Sequence, residues 1–478
     1  MVQVKKSISN SIKWSAVEKI SSQLIQFLIM ILLARILGPK SLGLIGMISI
    51  FIAVSQIFID SGFYAALIRK ENLSDKDLST TFTFNLLISA LCYGVIYCIA
   101  PFVADFYNEP ILIDLLRVLG LTIIFSSFSL VQRSLLTREM AFKKQAKASI
   151  ISSIISGTIT LFLAFQGYGV WVLVIQNILM SFLNALILNM ISTWKIKVGF
   201  SLESFNELFS FGSKLLLSSL IDTIYNNMFQ VIIGKIYSVE QLGFYTQAKL
   251  LSNVPIISMT TIIQRVSYPI LSKINIESTT ELESVHSKFI KSTSLIIFPL
   301  YITLSFNSDN IINILLGSGW GNASILLSIL ALGYMMYPIN ALNLNIINVK
   351  GRSDLFLKLE LIKKILFTLL ICVSYKQGVV AMCISFVVMS YVELFINIYF
   401  VSKLSSYGFV RLLKDITPIL LIAIVSCSMS SLFSEIFNNE YIRLVVYSIF
   451  VIFIYSILIL FFDKKLFMTI ILKLLKRA

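Results

Sequence analysis

Polar side chains recur every four residues along two segments that are otherwise strongly apolar. In the first segment they are Glu18, Ser22 and Gln26, and in the second they are Lys214, Ser218, Asp222, Asn226 and Gln230. Residues four apart lie on the same face of a helix, so each segment is predicted to present one polar stripe. A stripe of this kind within a membrane requires water or a polar partner.

Two weaker stripes follow, and together the four stripes predict a hydrated central cavity. They contain Ser49, Gln56 and Asp60 in one segment and Lys249, Asn253, Thr260 and Gln264 in another. The predicted substrate cavity residues are Gln26, Arg35, Gln56, Lys235, Asn226, Lys249 and Asn253. The predicted ion-coupling residues are Glu18, Asp60 and Asp222.

Each of these residues also has a purely structural explanation. Hydroxyl and amide groups can join helices through hydrogen bonds worth ~0.6 kcal/mol each. Charged groups are less readily explained in this way, because a charge at mid-membrane costs at least ~2.5–3.5 kcal/mol. Arg35 and Lys235, at the outer ends of their segments, are explained equally well as cations that extend to the membrane surface, and Glu18 lies near the opposite end.

Several kinds of chemistry are excluded by what the sequence lacks. His286 is the only histidine and lies in a polar segment, so neither a metal site nor a cofactor is expected. The pattern G-x-x-x-x-G-K-[ST] does not occur, which excludes a P-loop ATPase within this chain. The five cysteines fall in apolar runs and are expected to be small buried hydrophobic residues. The chain is therefore expected to be a transporter and not an enzyme.

The elements that must position these residues are transmembrane helices. Of the 478 residues, 57% are hydrophobic and 13% are charged, which excludes a water-soluble protein. Continuous apolar runs of roughly 20 residues predict an all-α polytopic membrane protein with about fourteen spans. The predicted spans are 12–36, 42–67, 80–104, 115–136, 146–166, 169–192, 209–233, 245–271, 290–306, 323–348, 355–375, 378–402, 412–434 and 441–462.

Loop charge predicts the orientation of these spans. The net charge is +15, and lysines and arginines cluster in alternate loops, for example at 133–147 and 464–477. Such loops face the cytoplasm and meet anionic lipids, so membrane lipids and not nucleic acid are the expected partners. Both termini are predicted to be cytoplasmic.

An internal repeat divides the chain. The segments ARILGPKSLG (34–43) and GKIYSVEQLG (234–243) superpose at an offset of 200 residues. Spans one to six and seven to twelve are therefore predicted to be pseudo-symmetric lobes, related as a parallel repeat by an axis along the membrane normal. The expected domains are an N-lobe (1–200), a C-lobe (201–404) and an appendage of spans thirteen and fourteen with a basic cytoplasmic tail (405–478).

Several segments together resemble the polysaccharide flippases of the Wzx-like (PST) family, closest to the colanic acid exporter type. They include LARILGPKSLGLIGM (33–47), DSGFYAALIRKENLSDKDLSTTF (60–82), GYGVWVLVIQ (167–176), LGFYTQAKLLSNVP (242–255) and GRSDLFLKLELIKKIL (351–366). This family belongs to the multidrug/oligosaccharidyl-lipid/polysaccharide (MOP) exporter superfamily, so the resemblance implies a MATE-like fold.

The resemblance also implies a function. Family members move undecaprenyl-pyrophosphate-linked sugar units, used for O-antigen, capsule or exopolysaccharide, across the inner membrane by rocking two lobes. A polysaccharide polymerase and glycosyltransferases would be the expected protein partners. In this reading Lys249 holds the pyrophosphate, with Arg35 and Lys235 at the outer mouth. Two alternatives remain, a cation-coupled drug exporter of the same fold and a membrane glycosyltransferase or polymerase.

Overall fold

The computed structural model describes the backbone of residues 2–60, 62–277 and 279–463. Side chains are described from residue 21 onward, except at 61, 275–279, 353 and 464–478. The side chain of Glu18 and the predicted basic tail at 464–478 lie outside the described residues.

Every regular element in the described part of the chain is helical. The helices are α1 (Val2–Asp60), α2 (Phe63–Arg69), α3 (Asp75–Tyr107), α4 (Leu112–Leu119), α5 (Leu121–Ser127), α6 (Leu130–Arg138), α7 (Phe142–Phe165), α8 (Trp171–Ile191), α9 (Leu202–Ile236), α10 (Val239–Glu277), α11 (Thr279–Phe306), α12 (Ser308–Leu315), α13 (Gly321–Tyr334), α14 (Tyr337–Val349), α15 (Ser353–Ser374), α16 (Val379–Leu404), α17 (Phe409–Ser434) and α18 (Glu440–Phe462). A 3-10 turn at Ser318–Trp320 precedes α13.

Ten helical stretches among the described residues are long and apolar enough to cross a membrane. One of them, Ser21–Arg69, includes most of the first two predicted spans. Between these spans α1 is interrupted at Gly38, where φ is 72°, and Pro39 follows. The helices α9, α10 and α15 correspond to three further predicted spans and carry more polar and charged residues. Each of the fourteen predicted spans therefore coincides with helical structure, and the prediction of an all-α polytopic membrane protein is confirmed.

Local sequence explains several helix boundaries. Ser74 begins α3 with a capping box, in which its side chain accepts a hydrogen bond from the Asp77 backbone and the Asp77 side chain accepts one from the Ser74 backbone. Pro338 lies in the first turn of α14, where its missing N–H is tolerated. Pro255 lies inside α10 and Pro299 lies inside α11.

The chain forms two compact units, residues 1–243 and 244–478. The first unit contains α1–α9 with the start of α10, and it has an aromatic cluster in its core. Phe63 lies 5.1 Å from Phe84, and Phe205 stacks on Phe209 at 5.1 Å between ring centroids. This cluster packs the beginning of α9 against α2 and α3, which fixes the position of a helix that carries a polar stripe.

The second unit packs α11, α13, α14 and α16–α18 around large buried side chains. Phe298 and Tyr301 are fully buried. The Tyr301 hydroxyl donates to the Ser252 carbonyl oxygen at 2.6 Å, and the Tyr455 hydroxyl donates to that of Leu295 at 2.9 Å. Because a buried hydroxyl without a partner is costly, these bonds fix the registers of the helices that they join.

Two expectations about individual residues require correction. Cys92, Cys383 and Cys427 are buried free thiols as predicted, but Cys98 and Cys372 are exposed free thiols because they lie on the outer faces of their helices. The polar segment that contains His286 is helical, and the His286 side chain is not exposed. It is buried within α11, which begins several residues before the predicted span.

Candidate functional site

Helix α9 carries an exposed polar stripe. Four polar residues spaced four apart along the helix are all exposed: Lys214, Ser218, Asp222 and Asn226. The buried residues of α9 lie at its two ends, for example Leu208 near the start and Ile233 near the C-terminus. Polar groups that are accessible at membrane depth lie beside water or a polar ligand, because lipid cannot satisfy their hydrogen bonds. The predicted stripe is therefore accessible at its first four members, whereas its last member, Gln230, is buried.

Close backbone contact holds α9 in place. Gly62, which has a φ of 71°, lies against Gly212 of α9, and a Cβ atom at Gly62 would lie 2.5 Å from the Gly212 Cα. Ser201 caps the start of the helix by accepting a hydrogen bond from the Ser204 backbone. The stripe is thus carried by a firmly packed helix.

The stripe of α1 is accessible where it is described. Gln26 is exposed, and its side-chain amide donates to the Ser153 hydroxyl of α7 at 3.4 Å. This bond favours the structural explanation for Gln26, since it joins two helices. Leu24, Leu28 and Leu32 form a separate exposed apolar row on the same helix, as expected for a face toward lipid.

The second half of α1 holds two further candidates. Gln56 is exposed, whereas Asp60 is partly buried. One carboxylate oxygen of Asp60, Oδ1, is buried and has no hydrogen-bond partner among the described residues. A buried acid with an unsatisfied oxygen costs free energy, and such groups in membrane proteins commonly serve a pathway. This observation keeps Asp60 as a candidate for ion coupling.

Helix α10 brings Lys249 and Asn253 one turn apart, and both are partly exposed. The Lys249 Nζ lies 6.0 Å from the ring centroid of Tyr245, one turn earlier. Gln247 is fully buried, and neither its side-chain oxygen nor its nitrogen has a hydrogen-bond partner in the described part of the chain. Gln247 was not among the residues predicted from the sequence, although it lies in the segment LGFYTQAKLLSNVP, two residues before Lys249.

The two copies of the repeated segment contact each other reciprocally within the first unit. A Cβ atom at Gly43 would lie 1.9 Å from the carbonyl oxygen of Val239. A Cβ atom at Gly243 would lie 2.0 Å from the carbonyl oxygen of Pro39. The offset of 200 that relates the glycines also relates Pro39 to Val239, so the contact follows the repeat. The helical turns that contain Gly43 and Gly243, here called the repeat turns, both require glycine because the backbone of one turn lies directly against the backbone of the other.

Arg35 and Lys235 precede these turns and are exposed. The Lys235 ammonium donates to the carbonyl oxygen of Phe106 at 2.5 Å and lies 4.7 Å from the centroid of the Phe106 ring. It is therefore fixed to the end of α3, which supports a role at the rim of the unit.

A buried polar network in the second unit was not predicted from the sequence. Asp415 accepts hydrogen bonds from the hydroxyls of Ser287 at 2.5 Å and Tyr407 at 2.8 Å, and pairs with Lys291 at 3.3 Å. The His286 Nε2 lies 3.1 Å from the side-chain oxygen of Asn343. Burial, followed by the neighbouring Asp415 carboxylate, raises the pKa of Tyr407 above its usual value. The network joins α11 to the start of α17 and is explained by packing.

This arrangement defines an all-helical multi-pass membrane protein, and solved structures identify its fold. The structure of the lipid II flippase MurJ, in an inward closed conformation, has a TM-score of 0.79 at 16% identity, covering 95% of this chain and 99% of that one. An outward-facing MATE family multidrug resistance transporter has a TM-score of 0.57 at 17% identity, covering 84% and 96%. The fold is that of the MOP superfamily.

Residues 32–325, more than half of the chain, match the family described as "Polysaccharide biosynthesis protein", and the chain belongs to that family. The teichuronic acid biosynthesis protein TuaB of Bacillus subtilis is 26% identical over 74% of each chain. The lipopolysaccharide biosynthesis protein WzxC of Escherichia coli is 23% identical over 83% of this chain and 80% of its own length. The succinoglycan biosynthesis transport protein ExoT of Rhizobium meliloti is 23% identical over 68% and 66%.

Proposed function

We propose that this protein is a lipid-linked oligosaccharide flippase and not an enzyme. It moves undecaprenyl-pyrophosphate-linked sugar units from the cytoplasmic to the outer leaflet of the inner membrane by alternating access. The family, the relatives named for polysaccharide biosynthesis and transport, and the shared fold support this assignment. The same relatives favour it over export of small drugs.

The observation that carries the proposal is the exposed stripe of α9. Its four accessible polar side chains extend over more than three helical turns, which suits an elongated polar cargo such as an oligosaccharide. Amide and hydroxyl groups can both donate to and accept from sugar hydroxyls. A small cation would need only a few ligands close together.

The pyrophosphate of the carrier requires a cation within the membrane. At least two negative charges must leave water, and an unpaired charge in an apolar medium is costly. Lys249 is the proposed partner because it is partly accessible on α10, one turn from Asn253. Arg35 and Lys235 are proposed to act at the outer mouth, where Lys235 is already held by Phe106.

The energy source is proposed to be an ion gradient or the membrane potential. The sequence contains no P-loop, and Asp60 and Asp222 are the proposed coupling groups. One charge that crosses 100 mV supplies ~2.3 kcal/mol, which shifts a two-state equilibrium by more than tenfold. Both termini are proposed to be cytoplasmic, and the glycosyltransferases and polymerase of the same polysaccharide are the proposed partners.

A reconstitution experiment tests the function. The full chain in proteoliposomes should translocate a fluorescent undecaprenyl-pyrophosphate-linked oligosaccharide, measured by the fraction that an impermeant quencher reaches. The proposal would be refuted in favour of drug export if these proteoliposomes translocated no more labelled oligosaccharide than protein-free vesicles but did transport a small cationic dye.

Variants of Lys249 test the proposed pyrophosphate contact. Lys249→Met should reduce flipping roughly tenfold or more, because hydrogen bonds to charged groups are worth about 1.5–3 kcal/mol. Lys249→Arg should retain part of the activity, because it keeps the charge. Lys403→Met is a matched control, since Lys403 also lies one turn after a tyrosine, at 4.3 Å from the Tyr399 ring. Full activity of Lys249→Met at equal protein level would remove this residue from the site.

A further inference from the structure

A large apolar groove opens on the first unit, apart from the polar stripes. Its volume is about 680 Å³, within the range of ~300–1,000 Å³ that is typical of ligand sites. It is lined by the second half of α1, by α3 and by Val231 of α9. Leu91 and Val95 at its rim are exposed, whereas Ile96 at its floor is buried. The groove therefore runs along membrane-spanning helices and is accessible from the surface of the unit.

Two polar groups lie at one end of this apolar groove. Tyr107 lines it and is only 6% exposed, yet its hydroxyl has no hydrogen-bond partner among the described residues. Phe106 also lines the groove and carries the Lys235 ammonium over its ring at 4.7 Å. Tyr107 packs against Gly234, the neighbour of Lys235, because a Cβ atom at Gly234 would lie 3.1 Å from the Tyr107 ring. The Lys235 cation therefore lies beside one end of the apolar groove, next to the lining residue Phe106.

We propose that this groove binds one acyl chain of an anionic membrane phospholipid. The apolar walls accept the chain, and the exposed Lys235 ammonium beside Phe106 hydrogen-bonds the phosphate. An ammonium has three donors, so the single bond to the Phe106 carbonyl oxygen does not exhaust Lys235. Phospholipid is favoured over the lipid carrier because bilayer lipid is present in large excess, and occupancy follows concentration.

The bound lipid would lie beside the second half of α1 and the end of α9. The groove lies between the second half of α1, which begins at the Gly38 break, and the end of α9, which leads into the second repeat turn. A chain in the groove fills space between α3 and α1, and α1 carries one side of the reciprocal glycine contact. The lipid is therefore expected to stabilise that end of the unit.

Native mass spectrometry of the purified full chain tests the proposal. We expect one tightly retained palmitoyl-oleoyl-phosphatidylglycerol, in preference to the corresponding phosphatidylcholine. Ile96→Trp fills the floor of the groove and should abolish retention, whereas Ile159→Trp on the exposed face of α7 should not. Equal retention by the two variants, or retention of isoprenoid lipid alone, would overturn the proposal.

The charged end is tested separately. Lys235→Met should lower the preference for phosphatidylglycerol roughly fivefold while leaving the chain bound. Arg117→Met is the matched control, because Arg117 lies over the Tyr97 ring at 4.1 Å and donates to the Tyr97 carbonyl oxygen, but neither residue lines the groove. An unchanged preference in Lys235→Met would refute the headgroup contact.

A photoreactive lipid provides a measurement that needs no substitution. Phosphatidylglycerol with a diazirine at mid-chain should label peptides of α3 and the second half of α1 in the native protein. Labelling spread evenly over all exposed helices would contradict a specific groove. This result stands even if Ile96→Trp fails to fold.

Discussion

Replacing Gly43 by alanine adds a single methyl group where two repeat turns meet. That group would lie 1.9 Å from the Val239 carbonyl oxygen and 2.8 Å from the Val239 Cγ1. Real Cβ atoms essentially never approach another heavy atom closer than 3.0 Å, so the backbone of the second turn must retreat by about 1 Å. The contacted atom is backbone, so no rotamer change can relieve the overlap.

Two opposing effects decide the sign of the outcome. Alanine is favoured over glycine in a helix by roughly 0.5–1 kcal/mol. Overpacking of a close contact costs about 1–3 kcal/mol, and backbone overlap belongs at the upper end. We therefore expect Gly43→Ala to destabilise the contact between the turns by about 1–2 kcal/mol, which corresponds to a population shift of roughly five- to thirtyfold. For a unit of this size, the expected fall in Tm is about 2–8 °C.

Thermal unfolding of the full chain in detergent, followed by the flipping assay, measures this effect. Gly94→Ala is the control, because Gly94 is also helical and a Cβ atom there would meet nothing within 4 Å. Gly243→Ala should resemble Gly43→Ala, since its Cβ atom would lie 2.0 Å from the Pro39 carbonyl oxygen. The loss of stability in the double variant should be smaller than the sum of the losses in the two single variants, because the first substitution already separates the turns. A Gly43→Ala protein as stable and active as Gly94→Ala would refute the reasoning.

Two further predictions concern topology and the buried network. In a protein without native cysteines, Gln166→Cys should react with an impermeant maleimide from outside, and Lys144→Cys should not. Both positions are exposed, at opposite ends of α7, so equal labelling would contradict the predicted orientation. Asp415→Ala should lower stability by about 2–3 kcal/mol, because it leaves the buried Ser287 and Tyr407 hydroxyls without their acceptor. Thermal unfolding checks this against Asp354→Asn, which alters an exposed pair with Arg352 and should change Tm little; equal losses would contradict the account.

The sequence alone determined the class of protein and the positions of its spans. Long apolar runs can only be helices in a membrane, because every backbone polar group must be satisfied within its own segment. Period-four spacing likewise placed Lys214, Ser218, Asp222 and Asn226 on one face, and all four are accessible. These features are local, so they could be predicted from the order of residues.

The roles of individual candidates within the stripes could not be predicted in this way. Gln26 lies on a predicted polar stripe, yet its side-chain amide hydrogen-bonds Ser153, which is 127 residues away in the chain. Asp60 and Gln56 share a predicted stripe, but only Asp60 is partly buried with an unsatisfied oxygen. Whether a polar residue is accessible or holds two helices together depends on its tertiary neighbours.

Only the tertiary structure brought distant residues into contact. The repeat was visible in the sequence, but the pairing of Gly43 with Val239 and of Gly243 with Pro39 requires the two turns to meet in space. The network around Asp415 and the groove beside Tyr107 also join residues that are far apart in the chain. Helical periodicity fixes which face a residue occupies, whereas the packing of helices decides what that face contacts.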